Sequence, residues 1–260
     1  MRYRIPLLVF LFLISVRLAA AQAPSESAPE KPLYNATGNE ATVTGTINVT
    51  GTIPIRPRID MSADPVCIQA NIKPQLDDLL VRDNKVQNAF VYLKSDFLNG
   101  HRFAVPDLDV ILVQRNCYYS PRVLGLRVGQ NLQVINSDQT VHNVHPTPKN
   151  NREWNQTHPP NADPIVKTFS HAEVLIPFKD NQHPWEKAYV AVMDHPFFAV
   201  SDESGRFEIR GLPPGTYTLV VWHERLGEQE LEITVAPGEM RNADLLSTPT
   251  KSTSSLHKVI

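Results

Sequence analysis

The sequence predicts an all-β protein of the sandwich or barrel kind. Three observations point there. Short runs of β-branched and apolar residues recur along most of the chain, no segment shows a convincing helical period, and 22 prolines punctuate the 260 residues. Many short strands separated by turns is the sequence pattern of sandwiches and barrels. Hydrophobic residues at 42% and charged residues at 20% supply an ordinary globular core and exclude wholesale disorder.

Met1–Ala21 reads as a signal peptide. Arg2 and Arg4 form its basic start, Ile5–Val16 is almost continuously apolar, and Ala19-Ala20-Ala21 gives a small-residue cleavage pattern. The apolar run is short for a bilayer span, so an uncleaved anchor is the lesser alternative. No later stretch reads as a membrane helix. Export to a periplasmic or extracellular space is therefore expected. Cleavage takes away three arginines and no acids, leaving a net charge of −5. A mildly acidic chain without basic clusters argues against nucleic acid as a partner. Residues 22–40, rich in Pro, Ser, Ala and Glu, are expected to form a flexible leader, and residues 247–260 a disordered tail.

Between these ends the strands follow in order. Thr42–Ile53 alternates β-branched and small residues, and Ala89–Leu93 is a compact apolar run. Further strands fit Asp109–Val113, Val123–Val128, Leu132–Ile135, Val174–Phe178 and Ala188–Met193. Pro74–Val81 is expected to make a short helical turn with Pro74 at its first position. Cys67 and Cys117 are the only cysteines. In an exported chain an even pair suits one disulfide; two buried thiols and a shared metal site are the alternatives.

The C-terminal part carries a distinct pair of turns. Ser201-Asp202-Glu203-Ser204-Gly205 enters an alternating strand, and Gly211-Leu212-Pro213-Pro214-Gly215-Thr216-Tyr217 starts another. Thr216–Trp222 and Gln229–Val235 then form a hairpin through Glu224–Gly227. These turns resemble the carboxypeptidase-regulatory or carbohydrate-binding-like β-sandwich, an Ig- or transthyretin-like fold. That family's early strands have counterparts far upstream, at Gly45–Ile47 and Ala89–Leu93. The resemblance implies one sandwich assembled from 41–103 and 195–246, interrupted by a second β-domain at 104–194.

The intervening segment resembles a cupredoxin, a Greek-key β-sandwich. Arg127–Leu132 supplies a Gly turn and Leu132–Asn136 the strand after it. Asn136-Ser137-Asp138 and His142-Asn143-Val144 follow, and Asp180-Asn181-Gln182-His183-Pro184-Trp185-Glu186 stands where the closing ligand turn belongs. The short spacing is similar to that of amicyanin-like members. The resemblance implies His142 and His183 as imidazole ligands, with Asp180 at the thiolate position and Glu186 at the axial thioether position. Blue copper needs a covalent thiolate, and neither acid supplies sulfur, so Cu(I) would be poorly held. Three readings follow. The four residues are a relic; they form a remodelled site for divalent copper or zinc; or the tip serves a partner. A copper electron carrier is the least favoured.

The remaining histidines and tryptophans carry weaker signals. His145 reads as an exposed turn residue or an extra ligand, His195 as a hydrogen-bonding residue where the modules join, and His223 as a strand end. His101, His158, His171 and His257 have no interpretable context. Trp154, Trp185 and Trp222 read as core or rim residues, although an exposed Trp222 would suit stacking on a carbohydrate. The chain lacks a Gly-x-Ser-x-Gly elbow, a His-Glu-x-x-His pair and a phosphate-binding Gly loop. A non-catalytic protein is expected, either holding a divalent metal or acting as a surface module for a carbohydrate or an envelope protein.

Overall fold

The computed structural model describes residues 30–247. The expected signal peptide and most of the expected tail lie outside them. Among the described residues, strands form four sheets. Two sheets are built from the flanking segments. One centres on Ala41–Val49, paired antiparallel with Arg206–Leu212 and parallel with Met240–Asn242 and Leu245–Ser247. The other runs Phe198–Val200, Phe90–Lys94, Gly215–His223, Gly227–Val235. The two remaining sheets come from the intervening segment. One runs Gln156–His158, His142–Pro146, Glu173–Lys179, Lys187–Met193, Val123–Arg127, and the other Ile165–Thr168, Asn131–Asn136, Val110–Arg115, Tyr118–Ser120.

Side-chain alternation explains how these sheets stack. In Ala41–Val49 every second residue is buried, as expected for a strand with one core face. Phe90–Lys94 instead buries four consecutive residues. Val91 and Leu93 enter one core with Ile47, Leu219 and Ile209, while Phe90 and Tyr92 point the other way, into a cluster with Val123, Ala191 and Met193. Lys187–Met193 divides in the same manner. Ala188, Val190 and Val192 fill the core of the second sandwich, and Ala191 and Met193 face the junction. The compact apolar runs read from sequence are strands covered on both faces. The two sandwiches therefore pack back to back through one sheet of each.

A polar clamp closes that junction. Arg122, 5% exposed, donates to Asp77 and to both Glu224 oxygens, and the Tyr189 hydroxyl donates to Glu224 at 3.3 Å. Nearby, Trp222 leans on Tyr189 with ring centres 4.9 Å apart. Trp222 is thus half-buried at the junction, packed against the cluster of Phe90, Tyr92 and Val220. His195 is buried, accepts the Phe197 amide at Nδ1, and burial lowers its pKa to about 4. His223 is likewise a buried strand residue, held down to about 4 by burial and the nearby Arg122 charge.

Some expectations need correction. Pro74–Val81 forms no helix: Pro74 accepts the Ile59 amide, Leu76 donates to Pro57, and Gln75 bridges Arg58 in extended pairing. Helix appears earlier, at Pro65–Ala70, where the Asp64 side chain accepts the Val66 and Cys67 amides and Pro65 needs no donor partner. A second short helix, Asp96–Gly100, is capped by Ser95. Residues 30–40, expected to be a flexible leader, are tied down. Leu33 bridges Arg102, Tyr34 donates its amide to Arg102, and Glu40 gathers the Tyr34 hydroxyl with the Thr37 and Gly38 amides. Ser247, expected to begin the tail, pairs with Val49.

The junction leaves no room at Gly125. A Cβ there would meet the Phe198 ring at 2.4 Å and the Phe90 ring at 3.0 Å. Gly125→Ala is expected to cost about 1–3 kcal/mol, the usual penalty for overfilling a packed core. Chemical denaturation checks this, and an unchanged midpoint would show that the junction is loosely packed.

Candidate metal centre

The centre forms where three elements meet at one end of the second sandwich. His142 opens the strand His142–Pro146. Asp180, His183 and Glu186 lie on the turn between the antiparallel strands Glu173–Lys179 and Lys187–Met193. The turn is self-supporting. Asp180 Oδ1 accepts the Gln182 amide at 2.6 Å and the His183 amide at 3.0 Å, and Glu186 N–H donates to the His183 carbonyl at 2.8 Å. An Asp at this position therefore shapes the turn as well as facing the histidines.

All four side chains are buried: His142 and Glu186 are 0% exposed, Asp180 and His183 3%. They converge through particular atoms. His142 Nδ1 lies 2.9 Å from Asp180 Oδ2, 3.0 Å from Glu186 Oε2 and 3.1 Å from His183 Nδ1. His183 Nδ1 is 3.2 Å from Asp180 Oδ2 and 4.0 Å from Glu186 Oε2. The structure thus brings together all four residues singled out in the sequence. An imidazole nitrogen carries one hydrogen at most, so His142 Nδ1 cannot satisfy three neighbours. The conflict falls on Glu186, whose two buried oxygens make no aligned hydrogen bond.

Two further carboxylates hold the outer edges of the rings. Asp138 Oδ2 lies 2.9 Å from His142 Nε2, and Asp64 Oδ2 lies 3.2 Å from His183 Nε2. Each of these acids also binds the backbone of a cysteine. Asp138 accepts the Asn116 and Cys117 amides at 2.7 and 2.8 Å, and Asp64 accepts the Cys67 amide at 3.3 Å. Cys67 and Cys117 are joined in a disulfide with Cα atoms 5.6 Å apart. Trp185 covers it, donating Nε1–H to the Cys117 carbonyl at 3.0 Å. Closing a loop of 50 residues stabilises the fold by about 4 kcal/mol on the chain-entropy account.

Sequence spacing did not reveal Asp64 as a partner of His183, 119 residues away. Its only local signal is the Asp-Pro pair that caps a helix. Asp138 was visible as part of the Asn-x-Asp pattern, but not as a partner of His142. His145 stays outside the cluster, half-buried in its strand and bound to Glu153 and Asn181. His158 is buried beside Gln114, with Nδ1 2.9 Å from the amide oxygen.

Electrostatics follow from this packing. Burial opposes a charge on His142, but hydrogen bonds to Asp138 and Asp180 and the negative charge of nearby Glu186 outweigh it and raise its pKa to about 11. His183 is opposed by burial and raised by Asp180 and Asp64. Burial resists ionisation of Asp180, yet bonds from His142, His183 and two backbone amides pull it well below the usual carboxylate range. Glu186 goes the other way, because burial dominates.

Comparison with known proteins places this geometry in context. The family described as carboxypeptidase regulatory-like domain matches residues 179–246. The match begins beside Asp180 and runs through the C-terminal hairpin. No curated protein matches the chain. Among solved structures, the chain is similar to a copper-containing nitrite reductase from Thermus scotoductus, at 16% identity and a TM-score of 0.32 over 35% of this chain. It spans 24% of that enzyme. A purple cupredoxin from Nitrosopumilus maritimus is 21% identical over 33% of this chain and 100% of its own, with a TM-score of 0.29. A mutant of amicyanin in its Cu(I) form is 22% identical over 40% of this chain and 98% of its own, with a TM-score of 0.30.

The ion network gives the metal-free protein a pH window. His142, at 6.5 unfolded and about 11 folded, contributes stability that is complete below about 6.5 and is lost as pH rises toward 11. Asp180, depressed in the fold, contributes stability present above its unfolded value of 3.8 and lost as pH falls through its folded value. Unfolding measured across pH is expected to show maximal stability between these limbs. Asp180→Asn should flatten the acid limb selectively; an unaltered limb would place acid sensitivity elsewhere.

Proposed function

We propose that this is an exported, non-catalytic protein that holds one divalent transition-metal ion between His142, Asp180, His183 and Glu186. The crowding at His142 Nδ1 carries the reading. One hydrogen cannot serve three partners at 2.9–3.1 Å, whereas a cation at their common centre serves all of them. Ligands about 2.0–2.1 Å from an ion in tetrahedral array stand about 3.3 Å apart, close to most of the spacings here. Two carboxylates balance the charge of a divalent ion in a buried pocket.

The donor set selects among ions. Two imidazoles and two carboxylates suit Zn²⁺ or Cu²⁺, while Cu(I) and blue-copper electron transfer need sulfur that this turn does not supply. The outer acids act in support. Asp138 and Asp64 fix the two rings through Nε2–H, leaving both Nδ1 atoms to face the ion. Four protein ligands and burial leave no open position for a substrate, which favours holding a metal over turning one to catalysis. The disulfide agrees with an oxidising compartment. Among the described residues no helix is long and apolar enough to cross a membrane.

A relic site in a surface recognition module is the second reading, supported by the fact that Asp64, Asp138 and Asp180 already have partners without an ion. Calorimetric titration of the oxidised, metal-free protein separates the two. One equivalent of Zn²⁺ or Cu²⁺ is expected to bind with proton release, more weakly as pH falls. Copper should bring no intense thiolate colour. Glu186→Gln is expected to weaken uptake by more than about tenfold. Absence of both binding heat and thermal stabilisation with either ion would select the relic.

A further inference from the structure

We propose that the Cys67–Cys117 pair is a second, redox-gated metal site that takes a thiophilic ion, Cu(I) or Zn²⁺, together with His183. The two sulfurs and a ring nitrogen of His183 all lie within 4.8 Å of one another. Cys67 and Cys117 are fully buried and His183 is 3% exposed, so the three donors meet in a shielded pocket beneath Trp185. In the oxidised protein the sulfurs bond each other and offer no thiolate. A dithiol reductant delivers two electrons and two protons: the S–S bond breaks, two thiols form, and the reductant becomes a disulfide. An arriving ion then displaces both thiol protons and forms two metal–sulfur bonds, with the His183 nitrogen as third ligand. Two thiolates and one imidazole are a set that soft and borderline ions favour.

The pocket does not depend on the disulfide alone for its shape. Asn71 Nδ2 donates to the Cys67 and Asn116 carbonyls, each at 2.9 Å, and so joins the two cysteine segments directly. The Tyr118 hydroxyl donates to Gln75 at 3.1 Å, and the Thr140 hydroxyl donates to Asp64 at 2.6 Å. Asp64 and Asp138 bind the cysteine amides and not the sulfurs, so breaking the S–S bond takes away neither contact's donor or acceptor. Reduction thus leaves both thiols on restrained backbone beside His183. The same histidine borders the carboxylate site, so the oxidation state of the cysteines would decide which set of donors claims it. The thiolate site does not rest on metal binding at Asp180 and Glu186.

The test uses Co²⁺ as the probe, because thiolate ligation gives a charge-transfer band that oxygen and nitrogen ligands lack. The full chain is titrated oxidised, and again after anaerobic reduction with a phosphine and desalting, both as wild type and as Asp180→Asn/Glu186→Gln. The band is expected only in the reduced samples. It should persist in the double variant, which lacks the carboxylates of the first site, and saturate there at one equivalent. His183→Gln in the reduced state should weaken Co²⁺ binding at least about tenfold, the lower range for loss of even an outer partner. The aromatic fine structure of the near-ultraviolet circular dichroism before metal addition should match that of the oxidised protein, once the disulfide's own broad contribution is set aside. No band on reduction, unchanged affinity in His183→Gln, or loss of the aromatic spectrum on reduction would each overturn the proposal. Failure of the carboxylate site appears separately, as oxidised wild type that binds no ion while the reduced double variant does.

Discussion

Burial of two imidazoles among acids is the constraint on which this end of the molecule depends. His142 and His183 lie almost out of contact with water, and each ring nitrogen faces a carboxylate or the other ring. Removing charges from water is costly unless they are paired, and removing one partner leaves the other stranded. The pairs form only if three distant parts of the chain meet. The turn from Asp180 to Glu186 supplies the inner acids, the turn before His142 supplies Asp138, and the capped helix Pro65–Ala70 brings Asp64. The disulfide links the last two through the very amides that these acids bind. Each cysteine is therefore one hydrogen-bonding carboxylate away from a histidine.

The same economy appears in the sheets. Lys187–Met193 carries alternate residues into two different cores, so the strand that follows Glu186 is fixed from both sides. Its parallel neighbour Val123–Arg127 begins beside Arg122, whose guanidinium joins the two sandwiches through Asp77 and Glu224. Displacing either strand would disturb both the junction and the turn that positions the inner acids. A doubly covered sheet is a stiffer platform for the turn from Asp180 to Glu186 than one with a solvated face, because its backbone cannot move without opening two packed interfaces.

Much of this was legible from local pattern. Alternation located the strands, and the resemblance of Asp180–Glu186 to a cupredoxin closing turn implied the inner acids. The Gly-Leu-Pro-Pro-Gly segment marked the C-terminal hairpin through backbone preferences that only those residues satisfy. What escaped was non-local or competed with a stronger cue. Pro74 and Pro65 are equally suited to a first helical position, but only Pro65 follows a residue whose side chain can accept the first free amides. Residues 30–40 look like a linker by composition, yet Tyr34 and Leu33 find partners beyond residue 96 that no window of sequence contains. Asp64 gives no sign of its second role, because one oxygen caps the helix and the other reaches His183.

The two inner acids differ in what they do for the turn. Asp180 binds two amides of its own turn and the Asn143 amide. The acid is thus part of the scaffold whether or not a metal is present. Glu186 is different. Its oxygens are buried without aligned donors, and burial disfavours its charge. A buried carboxylate in that condition is costly to the fold, and the charged His142 ring 3.0 Å away offsets only part of that cost. The contrast between an acid that shapes the turn and an acid held without aligned donors makes Glu186 the residue on which the proposed metal site bears most directly.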